Sequence, residues 1–296
     1  MSDATGDDAM PADTALRETF RNTNAPLEDR VEDLVSRLTL EEKVRLMAGA
    51  ASFTLEGVER LGVPGVRVTD GPTGVRSNEG EAATVFPVAV AIASTWNPDL
   101  TRQVARAIAR EALALDNFVV LAPTINIVRV PQWGRNFETY SEDPFLAGVL
   151  GTAYVNGLQE EGVGASLKHY AVNNQEVGRM TVSAKIDERT LREIYLAAFE
   201  MVVKEANPWT VMASYNRING VYATDNRYLL SDILKGEWGY DGVVVSDWGA
   251  VHSTAPSANA GMDLEMPGPP QWFGDKLLRE AKGGAVPEHQ IDDAAR

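Results

Sequence analysis

Apolar residues recur along this chain in two alternating rhythms. Short unbroken runs rich in valine, leucine and isoleucine predict strands over 66–70, 119–127, 164–170, 210–215 and 242–247, with a shorter one over 262–266. Between them, apolar residues three and four apart predict helices over 28–48, 97–115, 141–160, 187–206, 226–237, 255–260 and 271–282. Local chemistry marks several helix starts: Thr39-Leu40-Glu41-Glu42 has capping-box spacing, Asn97-Pro98 puts a cap before a first-turn proline, and Ser141 stands where a cap is needed. The strand runs are continuous rather than alternating, the mark of strands buried on both faces. Strands alternating with helices then predict an α/β fold built on a parallel sheet.

Two parallel architectures compete, an open doubly wound sheet and a closed (β/α)8 TIM-type barrel. A nucleotide-binding open sheet carries a glycine-rich turn after its first strand. Here that turn is Asp70-Gly71-Pro72-Thr73-Gly74, and a proline has no N–H to offer a phosphate. Neither dinucleotide nor P-loop glycine spacing occurs, and about 270 ordered residues match the ~250 of a barrel. The expectation is a single TIM-type barrel over residues 26–296, preceded by a disordered acidic tail over 1–25.

Composition narrows the function. Apolar residues make up 44% of the chain, enough for a full core, and the formal net charge is −15. That charge argues against nucleic acid and anionic membrane as partners, since both demand basic patches. There is no cysteine, which excludes disulfides, thiolate nucleophiles and cysteine-ligated metals. The histidines are His169, His252 and His289, without metal-protease spacing, so no metal and no cofactor is expected. No apolar run reaches the ~20 residues of a membrane span, and the acidic N-terminus does not read as a secretory signal. A cytoplasmic location follows as an expectation.

Barrel enzymes carry their chemistry at the C-terminal ends of the strands. Those ends hold Asp70, Lys168-His169, Ser214-Tyr215 and Asp247-Trp248, with Arg135 and Arg179 in the loops just beyond. Each has a plainer role available. Asp70 could shape a turn, Arg135 could pair with Glu138, Glu142 or Asp143, Arg179 could be a solvated loop residue, and Met212, Tyr215 and Trp248 could be core. Asp247 is different, because a carboxylate straight after three valines needs partners. With Arg135, Lys168 and Arg179 sharing its rim, the expectation is that Asp247 stays ionised at neutral pH. A ring of mixed donors and acceptors suits adjacent hydroxyls, as on a sugar. A Schiff-base aldolase using Lys168 is a competing reading.

Seven segments, in order, resemble one family. They are TDGPTGVR at 69–76, GRNFETYSEDP at 134–144, KHYAVNNQE at 168–176, DERTLREIYLAAFE at 187–200, VMASYNRING at 211–220, VVVSDWGA at 243–250 and AGMDLEMPG at 260–268. Together they are similar to the N-terminal barrel of family-three glycoside hydrolases of the β-glucosidase type. The resemblance implies a retaining exo-acting hydrolase of β-linked glucosides or short oligosaccharides, with Asp247 as nucleophile. Asp70, Arg135, Lys168, His169, Arg179, Met212, Tyr215 and Trp248 would then bind the sugar.

Retention needs a second carboxyl group as acid and base. In two-domain relatives a following α/β domain supplies it, and such a domain is expected outside this sequence. The loop after Lys168-His169 lacks the histidine that single-barrel relatives use, and Glu176 is a weak substitute. An impaired hydrolase is therefore expected from this chain alone, and a non-catalytic sugar-binding barrel is the alternative.

Overall fold

The structure, a computed structural model, describes residues 18–76 and 80–296. Its strands are β1 (Gly49–Ala51), β2 (Thr54–Leu55), β3 (Val66–Asp70), β4 (Val119–Leu121), β5 (Gly164–Tyr170), β6 (Ser183–Ala184), β7 (Thr210–Ala213), β8 (Arg217–Ile218), β9 (Val221–Tyr222) and β10 (Val243–Ser246). β3, β4, β5, β7 and β10 lie side by side and parallel. β6, β8 and β9 form a small separate sheet.

The large sheet closes on itself through residues 264 and 265. Leu264 bridges in parallel to Val245, and Glu265 bridges in parallel to Ala48, directly before β1. The Ser246 N–H donates to the Leu264 carbonyl at 2.9 Å, and the Gly49 N–H donates to the Glu265 carbonyl at 2.9 Å. This is the TIM-type barrel the sequence predicts, with one departure. β2 runs antiparallel to both its neighbours, β1 and β3. Chain length explains the reversal. A parallel crossover needs roughly a dozen residues or more, but only Ser52 and Phe53 separate β1 from β2. The link from Leu55 to Val66 holds a single 3₁₀ turn, Glu59–Leu61, instead of a helix.

Apolar residues divide between two layers. Inside the ring, Val68, Leu121, Met212, Val245, Leu264 and Met266 pack together. Outside it, a larger core joins the strands to the covering helices, with Ile108, Leu150, Phe199 and Ile233 fully buried. β5 is buried along its whole length, as its unbroken apolar run predicts.

Several element boundaries differ from expectation for local reasons. The helix expected over 28–48 is two helices, Leu27–Arg37 and Leu40–Leu46. The break falls at Leu38, where Thr39 starts a new helix through the expected capping box: its Oγ1 accepts from the Glu42 N–H at 3.2 Å, and its own N–H donates to the Glu42 carboxylate at 2.9 Å. Asn97 caps Pro98–Ala114 as predicted. Asp143, not Ser141, caps Pro144–Glu160, because Ser141 Oγ is occupied as acceptor for the Asp143 N–H. The 187–206 segment holds a π-helical turn over Leu191–Tyr195 within otherwise α-helical residues. Of the acidic tail expected over 1–25, residues 1–17 lie outside the described residues. From Glu18 the chain has defined structure, anchored by buried Phe20, whose N–H donates to Asp33 at 3.0 Å.

The closing seam leaves no room for side chains. A Cβ on Gly268 would lie 2.2 Å from the Gly49 carbonyl oxygen, and one on Gly49 would lie 2.6 Å from the Gly268 nitrogen. Both obstacles are backbone. Gly268→Ala is therefore expected to lower stability by roughly 1–3 kcal/mol, the usual cost of overpacking. An unchanged urea midpoint for that variant would show that the seam opens freely.

Candidate active site

The strand ends converge on one cavity of about 290 Å³, lined by Phe53, Asp70, Arg76, Leu121, Arg135, Lys168, His169, Arg179, Met212, Tyr215, Asp247 and Trp248. Every site residue named from the sequence is among them. Phe53, Arg76 and Leu121 are additions. The volume sits at the lower end of the ~300–1,000 Å³ typical of small-molecule sites, so it holds one small unit. A larger recess of about 730 Å³, bounded by Lys185, Asp187, Tyr195 and Asn219, contains none of the ends of the parallel barrel strands. Chemistry is assigned here by converging groups, not by size.

The strands explain how the side chains meet. Asp70 is the last residue of β3, and Asp247 follows the last residue of β10. Lys168 and His169 are neighbours on β5, where side chains normally alternate between faces. The register between β5 and β7 slips between Lys168 and Tyr170. A bulge of this kind re-aims side chains, and both residues line the cavity.

Lys168, Arg135 and Arg179 are each paired with a carboxylate other than Asp247. Lys168 Nζ donates to Asp70 at 3.1 Å. Arg135 forks onto Glu138, with Nε at 3.1 Å and a terminal nitrogen at 2.6 Å, while Thr124 donates to the same carboxylate at 2.8 Å. Arg179 donates to Glu176 at 2.8 Å and lies over the Tyr215 ring, 4.6 Å from its centroid. Glu176 also accepts from Trp133 Nε1 at 3.0 Å. Burial alone would raise the pKa values of Asp70 and Glu138, but the adjoining Lys168 and Arg135 outweigh it and hold both below the usual carboxylate range.

Asp247 behaves differently from Asp70 and Glu138. Burial pushes its pKa above the ordinary value, and the opposing pull of the Trp248 N–H, Lys168, Tyr215 and Arg135 does not cancel that push. Burial therefore outweighs the nearby cations in setting the direction of the shift, and the expectation of an ionised carboxylate at neutral pH is neither met nor overturned by a direction alone. Those cations pair elsewhere and act on it only at a distance. Asp247 Oδ1 accepts from the Trp248 N–H at 2.8 Å, but no protein donor among the described residues reaches buried Oδ2. His169 Nε2 stands 3.5 Å from that oxygen. Burial and the charges of Arg135, Lys168 and Arg179 depress the His169 pKa well below normal, so the contact is not an ion pair. Burial and the Asp247 charge raise the Tyr215 pKa, and its hydroxyl donates to the Trp248 carbonyl at 3.2 Å. Met212 serves both its roles, packed in the barrel interior and bordering the cavity floor.

Trp248 forms a wall of the pocket. Its ring lies 5.5 Å from Phe53, tilted by 35°, and its Nε1 donates to the Ser52 carbonyl at 2.7 Å. The reversed hairpin of β1 and β2 thus braces the wall, a contact no local pattern could announce. Glu138 was one of three acids offered as Arg135 partners from the sequence. Asn126, which holds His169, gave no signal because it falls inside the strand expected over 119–127.

A model of the Glycosyl hydrolase family 3 N terminal domain matches residues 34–296. Beta-glucosidase B of Emericella nidulans is 49% identical over 271 residues, covering 90% of this chain and 32% of that protein. An exo-alpha-(1->6)-L-arabinopyranosidase of Bifidobacterium longum is 48% identical over 273 residues, covering 88% of this chain and 36% of its own length. Among solved structures, a Bifidobacterium adolescentis beta-glucosidase superposes with a TM-score of 0.85 at 50% identity, over 88% of this chain and 38% of that one. Beta-glucosidase 3B of Thermotoga neapolitana, in complex with alpha-D-glucose, gives 0.86 at 39% identity, over 90% and 41%. The chain spans about a third of the length of these curated relatives.

The pairing of Arg135 with Glu138 generates a stability expectation. Both side chains are largely buried, at 18% and 11% exposure, and removing one partner strands the other charge. Glu138→Ala should destabilise the fold by on the order of 3 kcal/mol, and Glu138→Gln by less, since the amide oxygen still accepts one of the guanidinium bonds. Urea unfolding of the two variants checks the order.

Proposed function

This chain belongs to the family of the glycosyl hydrolase family 3 N-terminal domain, and from that premise we propose that it binds the terminal sugar of a β-glucoside and supplies the nucleophile of a retaining hydrolase. The observation that carries the reading is Asp247 Oδ2, a buried carboxylate oxygen with no protein donor, facing a cavity the size of one small unit. In the ionised form its lone pair attacks the anomeric carbon. The bond from that carbon to the leaving oxygen breaks, and a glycosyl ester forms on Asp247. Water then cleaves the ester with net retention.

Asp70, Lys168, Arg135 and His169 offer both acceptors and donors to the sugar hydroxyls. Hydrogen bonds to charged groups contribute roughly 1.5–3 kcal/mol each, so a few of them select one hydroxyl pattern. Trp248 and Phe53 supply an apolar wall for the C–H face of the ring. The Bifidobacterium longum relative acts on an arabinopyranoside, so α-L-arabinopyranosides are the second substrate class to test.

Among the described residues of the pocket no second carboxyl is poised as an acid. Asp70 and Glu138 are held ionised by cations, and Glu176 is engaged by Trp133 and Arg179. The proton for the leaving oxygen is therefore proposed to come from a further domain, in keeping with the greater length of the relatives. Aldolase chemistry is disfavoured, because the Lys168 amine is committed to Asp70 at 3.1 Å. In a purely sugar-binding role a sugar hydroxyl would donate to Oδ2, so the two readings part on whether a covalent bond to Asp247 forms.

Trapping separates these readings. An aryl 2-deoxy-2-fluoro-β-glucoside, whose leaving group departs without a proton, should leave a covalent adduct on the peptide containing Asp247, and Asp247→Asn should abolish it. Glucose binding without any adduct would support the sugar-binding role instead.

The pH dependence of trapping follows from the raised pKa of Asp247. The attacking form is the deprotonated one, so the rate should fall as pH drops. Its midpoint should lie above the ~3.9 of an unperturbed aspartate, and a midpoint at or below that value would refute the burial argument.

A further inference from the structure

Asn126 does not line the cavity, yet it makes three contacts with one residue that does. Its Nδ2 donates to the His169 carbonyl at 2.8 Å, its Oδ1 accepts from the His169 backbone N–H at 2.9 Å, and Oδ1 lies 3.1 Å from the ring Nδ1. Both residues are buried. Asparagine amides are usually ambiguous between oxygen and nitrogen, but a backbone N–H can only donate and a backbone carbonyl can only accept. These two contacts fix the amide orientation from chemistry alone.

The orientation fixes a proton in turn. An amide oxygen only accepts, so ring Nδ1 must carry the hydrogen. The ring is neutral, because it is buried beside Arg135, Lys168 and Arg179, and a neutral imidazole has a single N–H. Nε2 is therefore a bare lone pair. It faces Asp247 Oδ2 at 3.5 Å, the oxygen that no protein donor reaches. Two acceptors look at the same point, separated by more than a hydrogen-bond length. A proton resting on Oδ2 in the empty site would satisfy the pair without altering the tautomer. A bound ligand satisfies it only by bringing a donor.

We propose that Asn126 is a positioning residue that locks His169 in its Nδ1–H tautomer, so that Nε2 and Asp247 Oδ2 form a two-acceptor clamp that accepts a sugar hydroxyl as donor. The ligand's identity rests on the glycosidase reading. The tautomer does not.

Long-range ¹H–¹⁵N correlation spectroscopy on the ligand-free protein reads the tautomer directly. The chain has three histidines, and the signal lost in His169→Gln identifies the one in the site. The expected spectrum shows a neutral ring protonated on Nδ1, and an Nε2–H ring or an imidazolium at neutral pH overturns the proposal. Asn126→Asp places a carboxylate beside Nδ1–H and should shift the ring towards the doubly protonated form. Nε2 then becomes a donor to Asp247, and glucose affinity should fall roughly tenfold, the equivalent of one hydrogen bond. If that variant does not fold, Asn126→Ser, which loses the fixed acceptor, should give a mixture of tautomers. A wild-type spectrum in either variant, or undiminished glucose affinity once the tautomer has changed, sinks the clamp. The Nδ1–H tautomer in a protein that neither binds glucose nor forms the adduct would leave the lock standing and remove the glycosidase reading.

Discussion

A buried carboxylate oxygen with no hydrogen-bond partner among the described residues is the constraint around which this site is arranged. Burying such a group unpaired is costly, and an ordinary core would neutralise it with an adjacent arginine or lysine. Here three cations stand nearby, and each is tied to a different acid: Lys168 to Asp70, Arg135 to Glu138, Arg179 to Glu176. Their field reaches Asp247, but their hydrogen bonds do not. A direct ion pair would have pulled the carboxyl pKa down against the push of burial and occupied the lone pair that the proposed nucleophile must keep free. The separation of field from contact preserves both the charge and its reactivity.

That arrangement depends on barrel closure. Asp247 leaves β10 and Asp70 leaves β3, strands that face each other across the ring and are not neighbours in the sheet. They share one mouth because residues 264 and 265 stitch β10 to the segment before β1. The reversed strand β2 then brings Phe53 and Ser52 against Trp248, so the hairpin that departs from regular barrel topology also supports the apolar wall. Glycine at 49 and 268 is what permits the backbones to approach closely enough at this seam. Site geometry and closure are thus one problem, solved by the same residues.

Much of this was legible in the chain. Continuous valine and leucine runs announced the parallel strands, and their polar endings announced the rim, because burial on both faces leaves a strand only its end for chemistry. What stayed hidden depended on contacts distant in sequence. β1 and β2 are too short to show a period, and their pairing comes from a two-residue turn and from the missing length for a crossover helix. The direction of the Asp247 pKa shift could not be read from the chain, because sequence shows that cations are near, not which acids they have already engaged. Asn126 was invisible for a related reason. Its meaning lies entirely in two backbone groups of a residue 43 positions away.

The same field that suits the nucleophile limits what else the pocket can do. A general acid must hold its proton near neutral pH, so its pKa must be raised. Deep burial raises that of Asp247, but for a carboxyl at the partly solvated rim, such as Asp70, desolvation is outweighed by Lys168, the Gly71 N–H and Arg135 together, and its pKa is lowered. His169 is depressed by the same cations and cannot carry the proton either. Moving a carboxyl onto this rim would expose it to the same charges and make it a poor acid. The proton donor for a leaving group therefore has to approach from beyond the reach of Lys168, Arg135 and Arg179, on the side of the cavity that these strands leave open. On the proposed reading, placing the second carboxyl in a separate structural unit would follow from the electrostatics around Asp247.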